Sequence, residues 1–445
     1  MRAFLSWPIH LLKAYRQSIA YLPSLLALAY AFLSLIALLL PISDDRLPTL
    51  LTMLGLEAPE DTLPLLVALL GGMISLMVFS FSMVMSVLSQ AGGQFSHKLV
   101  FGLISERPHQ WVLGHYLGTI LFILMLMMVP NVADGQATWR SLAIYLACAM
   151  VIHCLALFVY FIHKASQSIQ IDAVVTDLHQ STLASMQVLQ SQQQGQEWRI
   201  LAVAASSGHR HYPVHARRAG YLQNADLSAL AALAHRVDGV VHLHFRFGDY
   251  VVKGLPILSL EAASPPEASW CDEVRATLTY VEGESITEHH VFGLTQLMEV
   301  AVKALSPGIN DPGTARLCLH RLTDLLGRRL EWQPCNSLFD RDGTCRLTWK
   351  VEDFESLLYR LFQPILRYGR EDLSIGLGVL KALKTLSLFA EEKDLETLQA
   401  HADRVVETLS QAADHPLDRR FVSARLDDGI HRLTLPRVLP GRQDT

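Results

Sequence analysis

Four long uncharged windows constrain this chain more than any other feature. No Asp, Glu, Lys or Arg falls between Arg16 and Asp44, between Asp61 and Lys98, between Arg107 and Asp134, or between Arg140 and Lys164. Each window is longer than the ~20 residues that carry a helix across ~30 Å of hydrocarbon. The windows predict membrane helices near 22–40, 64–90, 112–130 and 141–163. Pro23 and Pro41 bracket the first, and Trp7, Trp111 and Trp139 stand where an interfacial aromatic belt would. The first window is too long for the apolar core of a cleaved leader, and three more follow it. The whole chain is 51% hydrophobic and 18% charged. That is too apolar for a soluble enzyme and too charged for a membrane bundle throughout, so a membrane part and a water-facing part are expected.

The flanking charges predict the orientation. Arg2, Lys13 and Arg16 precede the first window, Lys98 and Arg107 separate the second from the third, and Lys164 follows the fourth. The segment 41–63 instead holds Asp44, Asp45, Glu57, Glu60 and Asp61 against Arg46 alone. Both termini are therefore expected inside, with a bacterial inner (plasma) membrane as the natural setting. The cysteines at 148, 154, 271, 318, 335 and 345 form no CxxC pair, so neither a structural disulfide nor a cysteine-held metal is expected. A net charge of −5 offers no basic footprint for nucleic acid.

The expected fold is an α-helical membrane domain of four transmembrane helices (1–163), followed by a cytoplasmic α+β domain. Apolar residues from Ile171 to Leu189 keep helical spacing, which reads as a stalk ending in the polar linker "QSQQQGQEW"; together they span 164–198. Residues 199–284 hold short alternating runs punctuated by Gly248-Asp249 and Gly254, with a short helix at 227–236, and read as a small β-rich or α+β module. Residues 285–432 read as helical, in segments 287–305, 312–330, 352–368, 371–389 and 393–413. The tail 433–445 is expected to fray.

"ALSPGINDPGTA" (304–315) joins two of those helices. Ser306 precedes Pro307 and is pushed out of helical geometry, so the first helix should stop there. Pro307-Gly308 suits a type II turn with glycine at positive φ. Asp311, before Pro312, suits an N-cap accepting from the amide of Gly313 or Thr314, with Pro312 at N1. Ser306, Pro307, Gly308, Asn310, Asp311, Pro312, Thr314 and Arg316 therefore form either a specified turn or a site for an anion or a partner carboxylate. The cap competes for the amides such a site would use, and the turn reading is preferred.

This segment also resembles the signature of the bacterial family of predicted membrane proteins called domain of unknown function 2254. The resemblance runs nearly end to end. It includes four N-terminal spans, the run "SQAGGQFS", "ERPHQWVLGHYLGT" ahead of span three, "GYLQNAD" with "FRFGDYVVKGLP", and "ALSPGINDPGTA", all in the same order. One position departs: where that family carries an acidic-plus-Gln pair ahead of "FGL", this chain has Glu288, His289 and His290. The resemblance implies a topology and no established activity.

Span two is the most informative membrane segment. Ser75, Ser82, Ser86, Ser89 and Gly93 share one helical face, with Gln90 and Gln94 beside its lower end. Such a stripe either lines a wet path among several subunits or lets membrane helices pack closely. His153 sits mid-span, where an ionisable residue points to function or to a neutral interhelical hydrogen bond. His209, His211 and His215, and the alternating pair His242 and His244, lack an acidic or cysteine partner at ligand spacing, so no metal is expected. "FRFGDYVVKGLPILSL" is similar to the turn of lipoyl-like modules, but no lysine stands at a carrier position and no cofactor is expected. No P-loop, GxSxG, HExxH or kinase set occurs, so an enzyme is not expected. The leading expectation is a homo-oligomeric, lipid-embedded protein that forms or gates a pathway for small ions. The alternative is a membrane-tethered signalling or scaffold protein whose cytoplasmic helices bind a partner.

Overall fold

The computed structural model describes residues 21–39, 62–94, 107–128, 137–168, 170–194, 197–200, 210–281 and 290–441. The chain divides into two compact units, Met1–Gln170 and Ile171–Thr445. Trp7, His209, Glu288 and His289 fall outside the described residues, as do the loops between the apolar windows.

The first unit contains helices α1 (Tyr21–Leu39), α2 (Thr62–Gln94), α3 (Arg107–Met128) and α4 (Ala137–Ser168). Three of them have a stretch long and apolar enough to cross a membrane: Leu63–Ser86, His109–Met128 and Ala143–Lys164. The described apolar part of α1, Tyr21–Ile36, is shorter. Half of the α3 stretch is buried, against 17% in α2 and 22% in α4, so α3 is the central helix. It packs on the other three. Its approach to α1 is close because Gly114 and Gly118 carry no side chain. A Cβ on Gly114 would stand 2.6 Å from Leu26 Cδ1, and one on Gly118 would stand 2.7 Å from Tyr30 Cγ. This small-xxx-small spacing lets two membrane helices touch backbone to side chain.

The second unit is α+β. Helix α5 (Ile171–Gln192) is followed by β1 (Trp198–Arg199), β2 (Arg210–His215), β3 (Gly220–Ala225), α6 (Leu227–Arg236), β4 (Val240–Leu243), β5 (Tyr250–Val251), β6 (Pro256–Ala262), α7 (Ala268–Ala276) and β7 (Leu278–Val281). Then come α8 (His290–Ala304), α9 (Pro312–Glu331), β8 (Ser337–Phe339), β9 (Cys345–Thr348), α10 (Phe354–Tyr368), α11 (Leu373–Ser387), α12 (Glu392–Ala412) and α13 (Pro416–Leu426). Among the described residues, six strands form one mixed sheet in the order β1-β8-β9-β4-β6-β2, and three form another in the order β5-β3-β7. Within the larger sheet β4 and β9 run parallel and the other pairs antiparallel. Its apolar face, with Val241, Leu258, Leu260 and Leu347, is covered by Leu230, Leu233 and Ala234 of α6. Asp226 caps α6 by accepting from the Ala229 amide.

Three expectations need correction. The segment read as a stalk is part of the second unit's core. Val174, Val175, Leu178, Thr182 and Met186 of α5 are buried, and α5 packs on α8 and α9. Its apolar stripe marks a core helix rather than a free rod. The stretch 285–432 is not all helical, because β8 and β9 lie within it and complete the sheet begun at 210–262. The signal was the turn at Asp342-Gly343, where glycine takes φ +78 between strand-forming runs. The described tail does not fray. Leu433, Leu435 and Leu439 are buried. Side chains satisfy its backbone: the Thr434 amide donates to Gln399, the Leu439 amide to Ser423, and the Pro440 carbonyl accepts from Ser410. Residues 442–445 lie outside the described residues.

Candidate functional site

Helix α2 is a single helix of 33 residues, about 50 Å long at 1.5 Å per residue. Two rows with seven-residue spacing run along it. Leu66, Met73 and Ser80 are buried in the membrane unit. Ser75, Ser82 and Ser89 are exposed, and so is Ser86. At ~100° per residue the two rows lie ~200° apart, on nearly opposite faces. The serine face is therefore turned away from the helix's own bundle, while Leu76, Met77 and Val84 pack against the core. Ser75 Oγ donates to the Gly71 carbonyl, 2.9 Å. The side chain of Gln90 lies outside the described residues, and Gly93 carries none.

His153 is exposed on α4, and it does not stand alone. Its ring lies 5.2 Å from that of His115 on α3, edge to face. His115 in turn meets Trp111 at 5.1 Å, and Tyr30 Oη lies 2.6 Å from its Nδ1. Thr119 and Cys154 sit beside this group, 3.3 Å apart. A polar cluster thus ties α1, α3 and α4 together. The sequence singles out His153 and gives His115 less weight as nearer an interface, because partners from separate spans keep no fixed spacing.

The signature segment is a tight helix-to-helix joint. The Ser306 carbonyl accepts from the amides of Ile309 (3.0 Å) and Asn310 (2.9 Å), and Ser306 Oγ donates to Lys303 O. The chain therefore makes one more helical turn after α8. This corrects the expected type II turn: the left-handed residue is Asn310, φ +49, not Gly308. Asparagine tolerates that region because its side chain is short and polar. Asp311 caps α9, its Oδ1 accepting from the Thr314 amide at 3.1 Å and its Oδ2 from Thr314 Oγ1 at 2.6 Å. Pro312 follows at the first helical position. The Thr314 hydroxyl, then its amide, hold the Asp311 carboxyl below the usual range, with Arg316 adding a smaller pull. Pro307, Gly308 and Arg316 are exposed.

A cleft of about 950 Å³ opens in the second unit, lined among others by Trp198, Arg246, His290, Arg329, Trp349 and Arg360. Arg360 grips the Glu352 carboxylate through two bonds of 3.0 and 2.8 Å. Arg329 donates to the carbonyls of Trp332 and Glu352, and burial lowers its pKa to about 10, so it stays charged. The "FGD" and "FGL" runs meet at the cleft's wall: Gly248, φ +98, lies where a Cβ would stand 2.4 Å from Phe292 Cζ. Cleft residues come from seven helices and strands and the loops between them, so no local motif announced them.

On the polar face of the larger sheet, register brings histidines together that the sequence could not pair. His211 stands across from Glu261, and His242 across from Ser259 and Thr348. His244 Nε2 lies 3.0 Å from Ser259 Oγ, and burial, then Lys350 and the neighbouring histidines, lower its pKa.

The family profile described as "Predicted membrane protein (DUF2254)" matches residues 16–385. Among curated proteins, uncharacterized proteins of Mycobacterium bovis and Mycobacterium tuberculosis are 27% identical over 338 residues, which is 74% of this chain. The match spans 64% of those relatives' length. No solved structure matches. Four-fifths of the chain falls under one profile, and its apolar helices agree with that profile's description, so the chain belongs to the DUF2254 family of predicted membrane proteins.

Proposed function

We propose that this protein is a homo-oligomer of the bacterial inner membrane that forms or gates a pathway for small ions. One observation carries the reading: the serine face of α2 points away from its own bundle. A lone chain in lipid gains by turning polar groups inward and apolar ones outward. An outward row of hydroxyls on a helix longer than the hydrocarbon core instead suits a second copy of the same face, with water between. Ile74, Val78 and Phe81, exposed beside the row, meet lipid in this arrangement. Helix α1 supplies the fourth crossing, both termini lie inside, and the second unit is cytoplasmic and regulatory. We assign no catalytic step and no nucleic-acid partner.

The alternative, a membrane-tethered signalling or scaffold protein, is favoured by the cleft of the second unit, which has room for a partner's side chains. Ion flux in sealed liposomes separates the two. The pathway reading expects flux that Ser82→Leu abolishes while the protein still assembles, since an apolar constriction gates by dewetting. A monomer that carries no flux sinks it and leaves the scaffold reading. Flux that survives Ser82→Leu moves the path to α3 and α4, with His115 and His153 next. Reporter fusions after residues 52, 100, 135 and 170 should read outside, inside, outside and inside; an outside signal at 170 overturns the orientation.

A further inference from the structure

The polar face of the six-stranded sheet gathers two imidazoles and a carboxylate from three adjacent strands: His211 on β2, Glu261 on β6 and His242 on β4. One ligand atom from each lies within 4.8 Å of both others. The arrangement follows from register. His211 is directly opposite Glu261 in one antiparallel pair, and His242 is diagonal to Glu261 in the next. Residues so placed share a face with side chains in reach. A one-residue slip of β4 would turn His242 into the apolar core.

We propose that His211, His242 and Glu261 bind a divalent transition cation of the zinc class, with the fourth coordination position left to water. Three features support this. First, the Glu261 side chain has no exposure, and that of His242 is 11% exposed. A divalent ion bound there would offset the desolvation of a carboxylate withdrawn from water. Second, the spacing suits a metal. Bonds of ~2.0–2.1 Å to nitrogen and oxygen in a tetrahedron put ligand atoms ~3.3 Å apart. His242 Nε2 and Glu261 Oε2 already stand at 3.1 Å. His211 is exposed on the sheet's outermost strand and reaches the third corner by rotating its side chain. Third, His242 has the partner that metal-binding histidines use. Its Nδ1 lies 2.7 Å from Thr348 Oγ1. When Nδ1–H donates to that hydroxyl, the Nε2 lone pair faces Glu261, which is the tautomer a metal requires.

The donor set selects the ion. Two imidazoles and one carboxylate suit zinc-class cations, while Mg2+ and Ca2+ prefer oxygen alone. Three protein ligands with a fourth position open outward is the pattern of an exchangeable or reactive site rather than a closed one. The ion would also tie β2, which among the described strands pairs with β6 alone, to the interior strand β4.

The test uses full-length protein in detergent, stripped with chelator and titrated with Co2+ and then Zn2+. The expected result is one Co2+ per chain with the intense visible absorption of tetrahedral cobalt, displaced by Zn2+. His211→Ala removes an exposed side chain, so the fold should survive by circular dichroism while affinity falls ~100-fold or more, beyond the loss typical of an outer-shell change. Thr348→Val should cost ~10-fold through the orientation of His242. His215→Ala should change nothing. No tetrahedral cobalt spectrum in the wild type, an unchanged spectrum in His211→Ala, or a loss that follows His215 instead of His211 each overturns the site. Glu261→Gln is informative only if it folds, and His211→Ala with His215→Ala decides the question without it.

Discussion

Gly293 lies so close to Thr182 that a Cβ built on it would stand 1.8 Å from the threonine Oγ1. The hydroxyl is held there, donating to the Leu178 carbonyl at 2.5 Å within α5. The "FGL" run thus has a packing reason. Phe292 fills the space over Gly248, and Gly293 lets α8 close on α5. Gly293→Ala should therefore cost about 1–3 kcal/mol by overpacking, despite alanine's better helix propensity. Thr182→Ala in the same chain should recover part of the loss, giving a coupling of ~0.5 kcal/mol or more in a urea-unfolding cycle. Strict additivity of the two changes would mean that the helices do not touch at this point.

Asp311 makes the same kind of commitment at the start of α9. Asp311→Ala should lower stability by about 0.5–2 kcal/mol, as a lost N-cap does. Asp311→Asn or Asp311→Ser should restore most of it. If stability returns in these variants but ion flux does not, the segment is a site as well as a joint.

The cap also predicts a pH dependence. The folded-state pKa of Asp311 is depressed, chiefly by the Thr314 hydroxyl and then the Thr314 amide. A depressed carboxyl stabilises the fold above its unfolded pKa of ~4 and loses that contribution as pH falls through the lower folded value. Wild type and Asp311→Asn should therefore differ in acid sensitivity below about pH 5 and run parallel above it. A difference that grows instead above pH 6 would assign the effect to another group.

Arg346 fixes the late hairpin to the early strands. It is 7% exposed, donates to Asp340 (2.7 Å) and Asp238 (2.9 Å), and lies 3.4 Å from the Gly239 carbonyl. Asp340 also accepts from the amides of Asp342 and Thr344, closing the turn. Arg346→Ala strands a half-buried carboxylate and should cost about 3 kcal/mol. Arg346→Lys should not restore it, because a single ammonium cannot serve acceptors spread around a planar fork. Thermal unfolding that leaves Arg346→Ala within about 0.5 kcal/mol of wild type would show the network to be solvated.

What could be read from the sequence was local. Uncharged windows marked α2, α3 and α4 because the absence of charge over twenty residues needs no partner to interpret. Asp311, Pro312 and the short helix at 227–236 were legible for the same reason, since cap and helical period lie within a few residues. What was missed depends on residues far apart in the chain. β9 reaches the sheet by pairing in parallel with β4 about a hundred residues earlier, and no periodicity records that. Glu261 completes the His211–His242 group only through strand register. The Gly114–Gly118 pair was visible as small residues four apart, and its meaning required knowing that α1 lies against it. The apolar stripe of α5 is legible as helical and reads as a stalk, because nothing local shows that it packs on α8 and α9.

The sharpest test of the membrane reading rests on the two rows of α2. If copies meet across the serine face with water between them, Ser82→Cys and Ser86→Cys should react with a charged, water-soluble thiol reagent, because thiolate forms only where water reaches. Val84→Cys should not react, since Val84 packs against the core of its own unit. The background must replace Cys148 and Cys154, both on α4. Oxidation should also join Ser82→Cys chains into dimers, because identical positions on a shared face approach one another, while Val84→Cys chains stay single. A tightly packed dry contact gives a different pattern: Ser82→Cys dimerises on oxidation but resists the charged reagent, and Ser82→Leu lowers the yield of oligomer. Silence at Ser82 and Ser86 in both assays places that face in lipid. The outward hydroxyls would then serve only their own helix, as Ser75 does with the Gly71 carbonyl, and the ion pathway through α2 would be excluded.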